Sequence, residues 1–293
     1  MSARPTVAVV VPFAGSDAEL EALPARLAGI GLRASERLVV ADNRPRPRPP
    51  EWSRTSDAAP RWLATPGPRS PGFARNAGAR GLDAEWLVFL DADMLPRDRL
   101  LDSFFDPAPG ERTAVLGGGI RDVARRPCAV DRYVVQRARM SHATTLSRTV
   151  APFAQTGNCA VRRRAFEAVG GFAGGVLAGE DADLCLRLAA AGWELEARPQ
   201  AWTDHPAPGH LRCLVAQVMR HGRGVAWLER RHPGTFPAPP LRALVRRPGH
   251  YAREAVRGWR RGDRDAARFA AIELLALYAF DLGRRLPNGS RSA

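Results

Sequence analysis

Two carboxylates, Asp91 and Asp93, follow directly after the apolar run Trp86–Leu90. The run contains β-branched and aromatic residues, and it predicts a β-strand that is buried on both faces. Because alternate residues of an extended chain point the same way, the two carboxylates can reach one target. Beyond the carboxyl end of a strand in an α/β sheet, such a pair suits a divalent cation that also holds phosphate oxygens. A loop in which one aspartate caps the next helix explains the pair equally well, so other residues must decide.

A second acidic cluster contains Glu180, Asp181 and Asp183. Leu184 and Leu188 follow at helical spacing, so the three carboxylates lie in the first turn of a predicted helix. Acidic side chains stabilise a helix N-terminus by about 0.3–1 kcal/mol each, which is the plain structural explanation. Three acids so close together exceed what capping requires, and a carboxylate at this place can serve as a general base.

The elements before these clusters predict a parallel sheet. Residues 6–11 and 38–41 are continuous apolar runs typical of buried strands. Between them, residues 17–30 carry leucines at helical spacing, with Ser16 or Asp17 as the N-cap. The order strand, helix, strand is typical of parallel strands joined by a right-handed crossover. A further helix is predicted over residues 97–105.

Polar residues stand where three of the predicted strands end. Pro12 closes the first strand, Asp42 the second, and Asp91 and Asp93 follow the third. The carboxyl ends of parallel strands meet at one edge of a sheet. We therefore expect these residues to converge, as a nucleotide-binding site requires.

Later segments give two weaker signals. A strand predicted over residues 113–120 contains the glycines at 117–119, which either let a ligand approach the backbone or form a bulge. The bulge is the favoured interpretation. Short strands over 193–197 and 201–204 lead to His205, and a lone histidine is more often structural than a ligand.

The chain is predicted to consist of a first domain over residues 1–210 and a helical extension over residues 211–293. The extension contains three apolar stripes at helical spacing: Leu211, Leu214, Val215, Val218 and Met219; Tyr251, Ala255, Val256 and Trp259; Ile272, Leu275, Tyr278 and Leu282. Many arginines lie between them. Basic faces on amphipathic helices usually mean solvated surface, and less often a membrane-surface or phosphate site.

The charge of the chain invites a nucleic-acid interpretation. The 293 residues carry a formal net charge of +14, and the pI is about 11.2. All 44 basic residues are arginine, however, which favours GC-rich coding bias over selection for phosphate contacts. Only three tyrosines are present, so the aromatic interleaving of a single-strand binder is sparse. An arginine-rich protein that binds nucleic acid or another acidic polymer without catalysis remains the alternative, but it leaves the carboxylates unexplained.

The cysteines and the apolar runs indicate the compartment. The four cysteines form no Cys-x-x-Cys pair, which argues against a zinc site or disulfide framework and favours a reducing cytoplasm. The start of the chain has no signal-like segment, and no uncharged apolar run reaches about 18 residues, so no transmembrane helix is predicted. We expect a cytoplasmic protein, with peripheral contact to the inner face of the membrane through the basic helices as a further interpretation.

Taken together, the motifs resemble those of the family 2 glycosyltransferases. Seven matching segments follow in family order, at residues 7–12, 40–43, 72–78, 89–93, 157–163, 170–172 and 179–184. The resemblance covers about two-thirds of the chain. It implies an α/β fold of the GT-A type, in which helices flank a mixed, mostly parallel sheet with a Rossmann-like nucleotide-binding core, here followed by a helical C-terminal extension.

The resemblance also implies an activity: inverting transfer of a sugar from a nucleotide-diphospho-sugar to an acceptor hydroxyl, assisted by Mg²⁺ or Mn²⁺. The acceptor would be a polysaccharide, a lipid-linked molecule or a small molecule, and nucleic acid would not be a partner. A scaffold that only binds nucleotide sugar is disfavoured, because all the acidic positions are present.

The resemblance assigns roles to single residues. The donor-binding residues it implies are Pro12, Asp42, Arg75, Asp91 and Asp93. Asp42 would contact the nucleoside base. The metal would lie on Asp93 and His205, the base would be Asp181, and Glu180 and Asp183 would lie on the acceptor side. One departure concerns the segment 12–15, Pro-Phe-Ala-Gly, which lacks the family's usual residues for contacts with the base of the donor.

Overall fold

The computed structural model describes residues 4–54, 60–138 and 140–290. It divides the chain into two compact units. The first unit consists of Met1–Arg121, Met140–His205 and Gly289–Ala293, and the second of Asp122–Arg139 and Pro206–Asn288. The boundary predicted after residue 210 lies close to the start of the second segment of this second unit, which also takes in residues 122–139.

Eight strands form one mixed sheet with the order β3-β2-β1-β4-β7-β6-β8-β5. The strands are β1 (Val7–Phe13), β2 (Arg37–Asp42), β3 (Arg61–Ala64), β4 (Trp86–Leu90), β5 (Leu95–Pro96), β6 (Thr113–Val123), β7 (Asn158–Arg162) and β8 (Glu194–Pro206). The pairs β1–β2, β1–β4 and β2–β3 are parallel, whereas β4–β7, β6–β7 and β5–β8 are antiparallel. The predicted α/β fold with a mixed sheet is confirmed.

Helices connect the strands and follow them. They are α1 (Asp17–Glu21), α2 (Leu23–Leu27), α3 (Pro71–Ala79), α4 (Leu100–Phe104), α5 (Ala129–Arg137), α6 (His142–Leu146), α7 (Arg163–Ala168), α8 (Glu180–Ala190), α9 (Leu211–Arg231), α10 (Leu241–Arg260) and α11 (Ala266–Gly283), with 3₁₀ turns at Ala28–Ile30 and Glu51–Arg54. Within the described ranges, no helix is both long and apolar enough to cross a membrane.

The central strands are buried on both faces, as their apolar runs predict. Trp86, Val88 and Leu90 of β4 belong to one apolar cluster, and Leu87 and Phe89 belong to the cluster on the opposite face. Alternate residues of a strand point to opposite faces, so a strand covered on both sides must be apolar throughout. The carboxylates therefore begin only after Leu90, where the chain leaves the sheet.

Three predicted elements have different bounds in the structure. The helix predicted over residues 17–30 is divided at Ala22 into α1 and α2, because Pro24 in the first turn of α2 has no N–H to continue the earlier helix. The helix predicted over 97–105 begins only at Leu100, after Arg99 in the left-handed region. The two short strands predicted over 193–197 and 201–204 are one strand, β8.

Gly118, within the glycines at 117–119, makes room for a side chain of the neighbouring strand. Asn158 is buried, and its amide nitrogen donates to the carbonyls of Gly119 at 2.9 Å and Ala201 at 2.8 Å. A Cβ atom at Gly118 would overlap this amide and the Ala201 carbonyl. Gly118 therefore serves close packing inside β6, and the bulge stays a prediction.

The second unit has its own core. Leu214 and Val218 of α9, Ile272 and Ala276 of α11, and Tyr133 of α5 belong to one buried apolar cluster. The Tyr133 hydroxyl donates to the buried Glu273 carboxylate at 2.7 Å, which joins α5 to α11. In the predicted second and third stripes, however, Val256, Trp259, Leu275, Tyr278 and Leu282 remain exposed.

Candidate active site

A buried guanidinium links two parts of the chain that are far apart in sequence. Arg75 on α3 is 3% exposed at its side chain, and it donates to Asp91 Oδ1 at 2.6 Å and to Glu180 Oε1 at 2.7 Å. Asp91 follows β4, and Glu180 is the first residue of α8. The two acidic clusters predicted from the sequence therefore lie beside each other, joined by one arginine.

Local sequence features place Arg75 at this position. Ser70 caps α3 by accepting a hydrogen bond from the Phe73 amide at 3.2 Å, and Pro71 occupies the first turn, where its missing N–H is not needed. About one helical turn after Arg75, on the same side of α3, a Cβ at Gly78 would lie 2.6 Å from Val10 Cγ1. The glycine thus lets α3 approach β1 closely and keeps Arg75 directed at the end of β4.

Asp181 lies next to Glu180 and is half-buried. Burial, followed by the neighbouring Glu180 carboxylate, raises the pKa of Asp181 to about 7. Its Oδ1 accepts a hydrogen bond from the Ala182 amide at 2.8 Å. A carboxyl group that titrates near neutral pH is suited to accept a proton from a substrate.

The other two acids of this cluster are held by arginines. Glu180 is paired with Arg75, and Asp183 has no exposed surface and pairs with Arg187, whose Nη2 lies 2.8 Å from Asp183 Oδ2. Arg187 also donates to the carbonyls of Val169 and Gly171. Asp183 therefore takes part in a buried structural network, and an acceptor would have to displace Arg187 to reach its carboxylate.

Asp93 and His205 form a second polar pair. Asp93 Oδ2 lies 3.9 Å from His205 Nε2, and the exposed fractions of the two side chains are 69% and 8%. The pairing of β5 with β8 brings them together, because Leu95 lies opposite Asp204 in the antiparallel register. The family resemblance pairs these two residues as metal ligands, but residue spacing alone does not reveal their contact, since β5 has only two residues and lies about a hundred positions from its partner.

Asp93 and His205 are two ligands that could hold a divalent cation only together with further ligands. Among the residues that the structure describes, no group of three or more His, Cys, Asp or Glu side chains is placed to hold a metal ion. Mg²⁺ in proteins commonly takes one or two carboxylates and completes its shell with substrate phosphates and water. Asp93 with His205 supplies a donor set of that size, whereas the Asp91 carboxylate already pairs with Arg75.

Asp42 lies at the same edge of the sheet as the two pairs above. It is buried, lies opposite Phe13 in the parallel register of β1 with β2, and is held by Arg44, whose Nη2 donates to Oδ2 at 2.7 Å. Arg44 also pairs with Asp17, and its two carboxylate partners raise its pKa despite some burial. The Trp62 indole donates to Asp42 Oδ2 at 3.2 Å. The Asp42 carboxylate is thus already fully hydrogen-bonded.

The structure places most of the predicted residues at one region of the first unit and adds partners that the sequence reasoning missed. Arg44, Trp62 and Arg187 were not among the predicted residues. The spacing of Arg187 four positions after Asp183 is a recognisable helical ion pair. No sequence pattern predicts the hydrogen bond from the Trp62 indole to Asp42, because that contact depends on the pairing of β2 with β3.

Comparison with known families identifies a clear match. Residues 55–224 match the model described as "Glycosyltransferase like family 2", which is more than half of the chain.

Curated relatives agree with this family. The pre-mycofactocin glycosyltransferases of two Mycobacterium tuberculosis strains are each 30% identical to the chain over 179 residues. The aligned region covers 58% of this chain but only 37% of each relative. The chain therefore corresponds to little more than a third of the length of these proteins.

A solved structure has the same fold. A mannosyltransferase from Pyrobaculum calidifontis, in complex with GDP-Man and Mn²⁺, is similar with a TM-score of 0.61 and 18% sequence identity. The similarity covers 94% of this chain and 87% of that one.

Proposed function

Because this chain belongs to glycosyltransferase family 2, we propose that it moves a sugar from a nucleotide-diphospho-sugar to an acceptor hydroxyl with inversion at the anomeric carbon. The observation that carries the proposal is the ion-pair chain Asp91–Arg75–Glu180. It brings the carboxylates after β4, which suit a diphosphate and its cation, next to Asp181, a carboxyl group with a pKa near neutrality.

The donor side of the site is built from Asp93 and His205. Mg²⁺ or Mn²⁺ on this pair would supply charge neutralisation for the departing nucleoside diphosphate. Asp91 is held by Arg75 and has part of its carboxylate exposed, so it can orient the donor without leaving its ion pair. The mannosyltransferase solved with GDP-Man and Mn²⁺ shares the fold and supports a donor of this class.

The base of the donor is assigned to the Asp42 end of the sheet. Its carboxylate is bound by Arg44 and Trp62, so recognition of a base N–H by Asp42 requires the Arg44 guanidinium to move away. Phe13 lies below that guanidinium, 5.3 Å from ring centre to Arg44 Cζ. Movement of Arg44 would uncover an aromatic face beside the carboxylate, and both groups can contact a planar base.

The transfer itself needs one proton acceptor. The acceptor oxygen attacks the anomeric carbon, the bond from that carbon to the diphosphate oxygen breaks, and the hydroxyl proton passes to the Asp181 carboxylate. Asp181 forms no ion pair within the described part of the chain, in contrast to Glu180 and Asp183 beside it. We therefore assign the role of general base to Asp181. Glu180 holds the Arg75 side chain in place between the donor and the acceptor.

A cytoplasmic location is part of the proposal. The four cysteines are free thiols, and Cys159 and Cys185 are buried. Free thiols are typical of a reducing compartment, where nucleotide sugars would reach the site directly.

A thermal-shift screen tests the donor and the metal together. Wild-type protein is heated with UDP-, GDP- and dTDP-sugars, each with and without Mn²⁺. Binding at a hundred times the Kd raises the free energy of unfolding by about 2.7 kcal/mol. We expect stabilisation by one nucleotide class, larger with Mn²⁺ and lost in Asp93→Asn. The matched control is Asp83→Asn, whose side chain is fully exposed. Equal response to all nucleotides, or to none, would contradict the proposal.

A further inference from the structure

α10 presents an apolar stripe to solvent. The α10 apolar stripe consists of Leu241, Val245, Pro248, Ala252, Val256 and Trp259. Their spacing of three or four residues places them on one side of the helix. The exposed fractions of Leu241, Val245 and Trp259 are 74%, 71% and 76%. An ordinary surface helix turns its apolar stripe towards the core, so this stripe requires another explanation.

A row of arginines runs beside the stripe. The α10 arginine row consists of Arg242, Arg246, Arg253, Arg257 and Arg260. All five are exposed, and none of them forms an ion pair with another described residue. Glu254 is the only acidic residue in the sequence of α10, and it lies 3.6 Å from His250. Successive helix residues are about 100° apart, so the row flanks the stripe on one side only.

The remaining face of α10 is the one that packs within the unit. Arg247 pairs with Asp281 of α11, and the Tyr278 hydroxyl donates to the Leu244 carbonyl at 3.1 Å. Pro248 has no N–H to donate to that carbonyl, so the tyrosine replaces the missing helical hydrogen bond. α10 is thus fixed to α11 while its stripe stays outside. Near Tyr278, Leu275 and Leu282 of α11 are exposed as well.

We propose that α10 is an interfacial helix that lies on the surface of an anionic lipid bilayer. The stripe would enter the boundary between headgroups and acyl chains, and the arginine row would bind lipid phosphates. Long arginine side chains can reach the headgroups from a helix whose apolar face is buried, and tryptophan favours this depth. A helix with one apolar side, one strongly basic side and low net hydrophobicity is the type that binds in this way.

The charge of α10 argues against two other occupants of this surface, a second copy of the chain and nucleic acid. A second copy packed stripe to stripe in antiparallel orientation would bring the two arginine rows onto the same side of the interface, where like charges repel. Nucleic acid would satisfy the arginines but leave the apolar stripe in water, because phosphate contacts make no use of aliphatic surface. An anionic bilayer is complementary to both features.

Vesicle sedimentation tests the proposal on all 293 residues of the chain. The protein is mixed with vesicles of phosphatidylcholine alone, or of an equal mixture of phosphatidylcholine and phosphatidylglycerol. We expect binding to the mixed vesicles, and weaker binding to phosphatidylcholine or at raised salt. Trp259 fluorescence, taken as the difference between wild type and Trp259→Phe, is expected to shift to shorter wavelength with the mixed vesicles.

Two double variants separate the stripe from the arginine row. Val245→Ser with Trp259→Ser removes apolar area, and Arg246→Gln with Arg253→Gln removes two charges. Each is expected to weaken vesicle binding by about tenfold or more. The matched controls are Val150→Ser, at a site in the first unit that is 53% exposed, and Arg54→Gln with Arg80→Gln, which are exposed there too. Circular dichroism checks that all variants fold.

Three results would overturn the proposal. The first is unchanged vesicle binding in the Val245→Ser, Trp259→Ser variant. The second is binding to duplex DNA that this variant retains in full while neither vesicle is bound. The third is a dimer, detected by light scattering, that the same substitutions convert to a monomer without any vesicle binding by the wild type. None of these results depends on transferase activity, so the proposal stands or falls separately from the proposed function.

Discussion

Arg75 Nη1 lies 2.7 Å from Glu180 Oε1, and this contact spans 105 residues of sequence. It places a positive charge close to Asp181, the next residue of α8, and that charge lowers the pKa of Asp181 against the opposing effects of burial and of Glu180. The pKa of the proposed base is therefore set by a balance of neighbours. Removal of any one of them should change either activity or stability in a direction that can be stated beforehand.

Asp181→Asn should abolish transfer while leaving the protein folded. General-base catalysis contributes about 10²–10⁴ in rate, so the loss in kcat should fall in that range or beyond. In the wild type, kcat/KM should fall as the pH drops through about 7, because protonated Asp181 cannot accept the acceptor proton. Release of nucleoside diphosphate measures both effects. Asp83→Asn, at a fully exposed carboxylate, serves as the control. Full activity in Asp181→Asn would remove the assigned base.

The same carboxyl group should affect stability with a definite sign. Folding raises the pKa of Asp181 from 3.8 to about 7, so between these pH values the folded protein holds a proton that the unfolded chain has lost. The contribution of Asp181 is favourable at low pH, and it is lost as the pH rises through about 7. Asp181→Asn should therefore raise the free energy of unfolding relative to wild type more at pH 8 than at pH 5. Urea titrations at the two pH values measure the difference, and a reversed order would contradict the prediction.

Arg75→Met should destabilise the first unit strongly. Breaking a buried ion pair by removing one partner costs about 3–5 kcal/mol, because the other charge stays buried without compensation. Here Glu180 is buried and would lose its partner. Urea denaturation measures the loss, and Arg80→Met, at an exposed position at the end of α3, should change stability little.

A double variant checks that the loss arises from the pair itself. Arg75→Met combined with Glu180→Gln should recover part of the stability, since the uncompensated charge is then absent. Strictly additive effects of the two substitutions would show that the contact contributes little.

Gly78→Ala should weaken the packing of α3 on β1. The added Cβ would lie 2.6 Å from Val10 Cγ1, and overpacking of this kind costs about 1–3 kcal/mol. In a Val10→Ala background the obstructing methyl is gone, so the same substitution should cost less. Gly174→Ala is the control, because a Cβ there meets nothing within 4 Å. Thermal unfolding of the wild type, Gly78→Ala, Val10→Ala and the double variant measures the coupling between the two substitutions.

The sequence predicted the edge of the sheet at which the site lies, because the ends of parallel strands must meet there whatever the side chains do. Asp42 and Asp91 are at that edge, as expected. It could not predict that Arg44 covers Asp42 or that Arg75 joins Asp91 to Glu180. Those contacts depend on the rotamers of long side chains and on the packing of distant elements, and neither leaves a periodic pattern.

The helices after residue 210 illustrate another limit. Their apolar spacing correctly predicted helices. Spacing shows which residues share one side of a helix, but it does not show whether that side faces the core or the solvent. In α10 the residues Tyr251 and Ala255 lie towards the packed side, whereas Trp259 from the same predicted stripe is exposed. The reason is that the apolar residues cover a wider part of the helix circumference than one neighbouring helix can bury. Tertiary contacts decide which part is covered.

The short pairing of β5 with β8 has a consequence for the dynamics of the sheet. Only Leu95 and Pro96 hold that final strand, and Pro96 has no amide hydrogen, so the outer margin of the sheet is secured by very little. Any ion or molecule that bridges Asp93 and His205 would also hold β5 against β8. Deuterium uptake near Leu95 and Asp204 should then slow when a ligand binds between Asp93 and His205. Hydrogen exchange of β5 would therefore show whether this site is occupied.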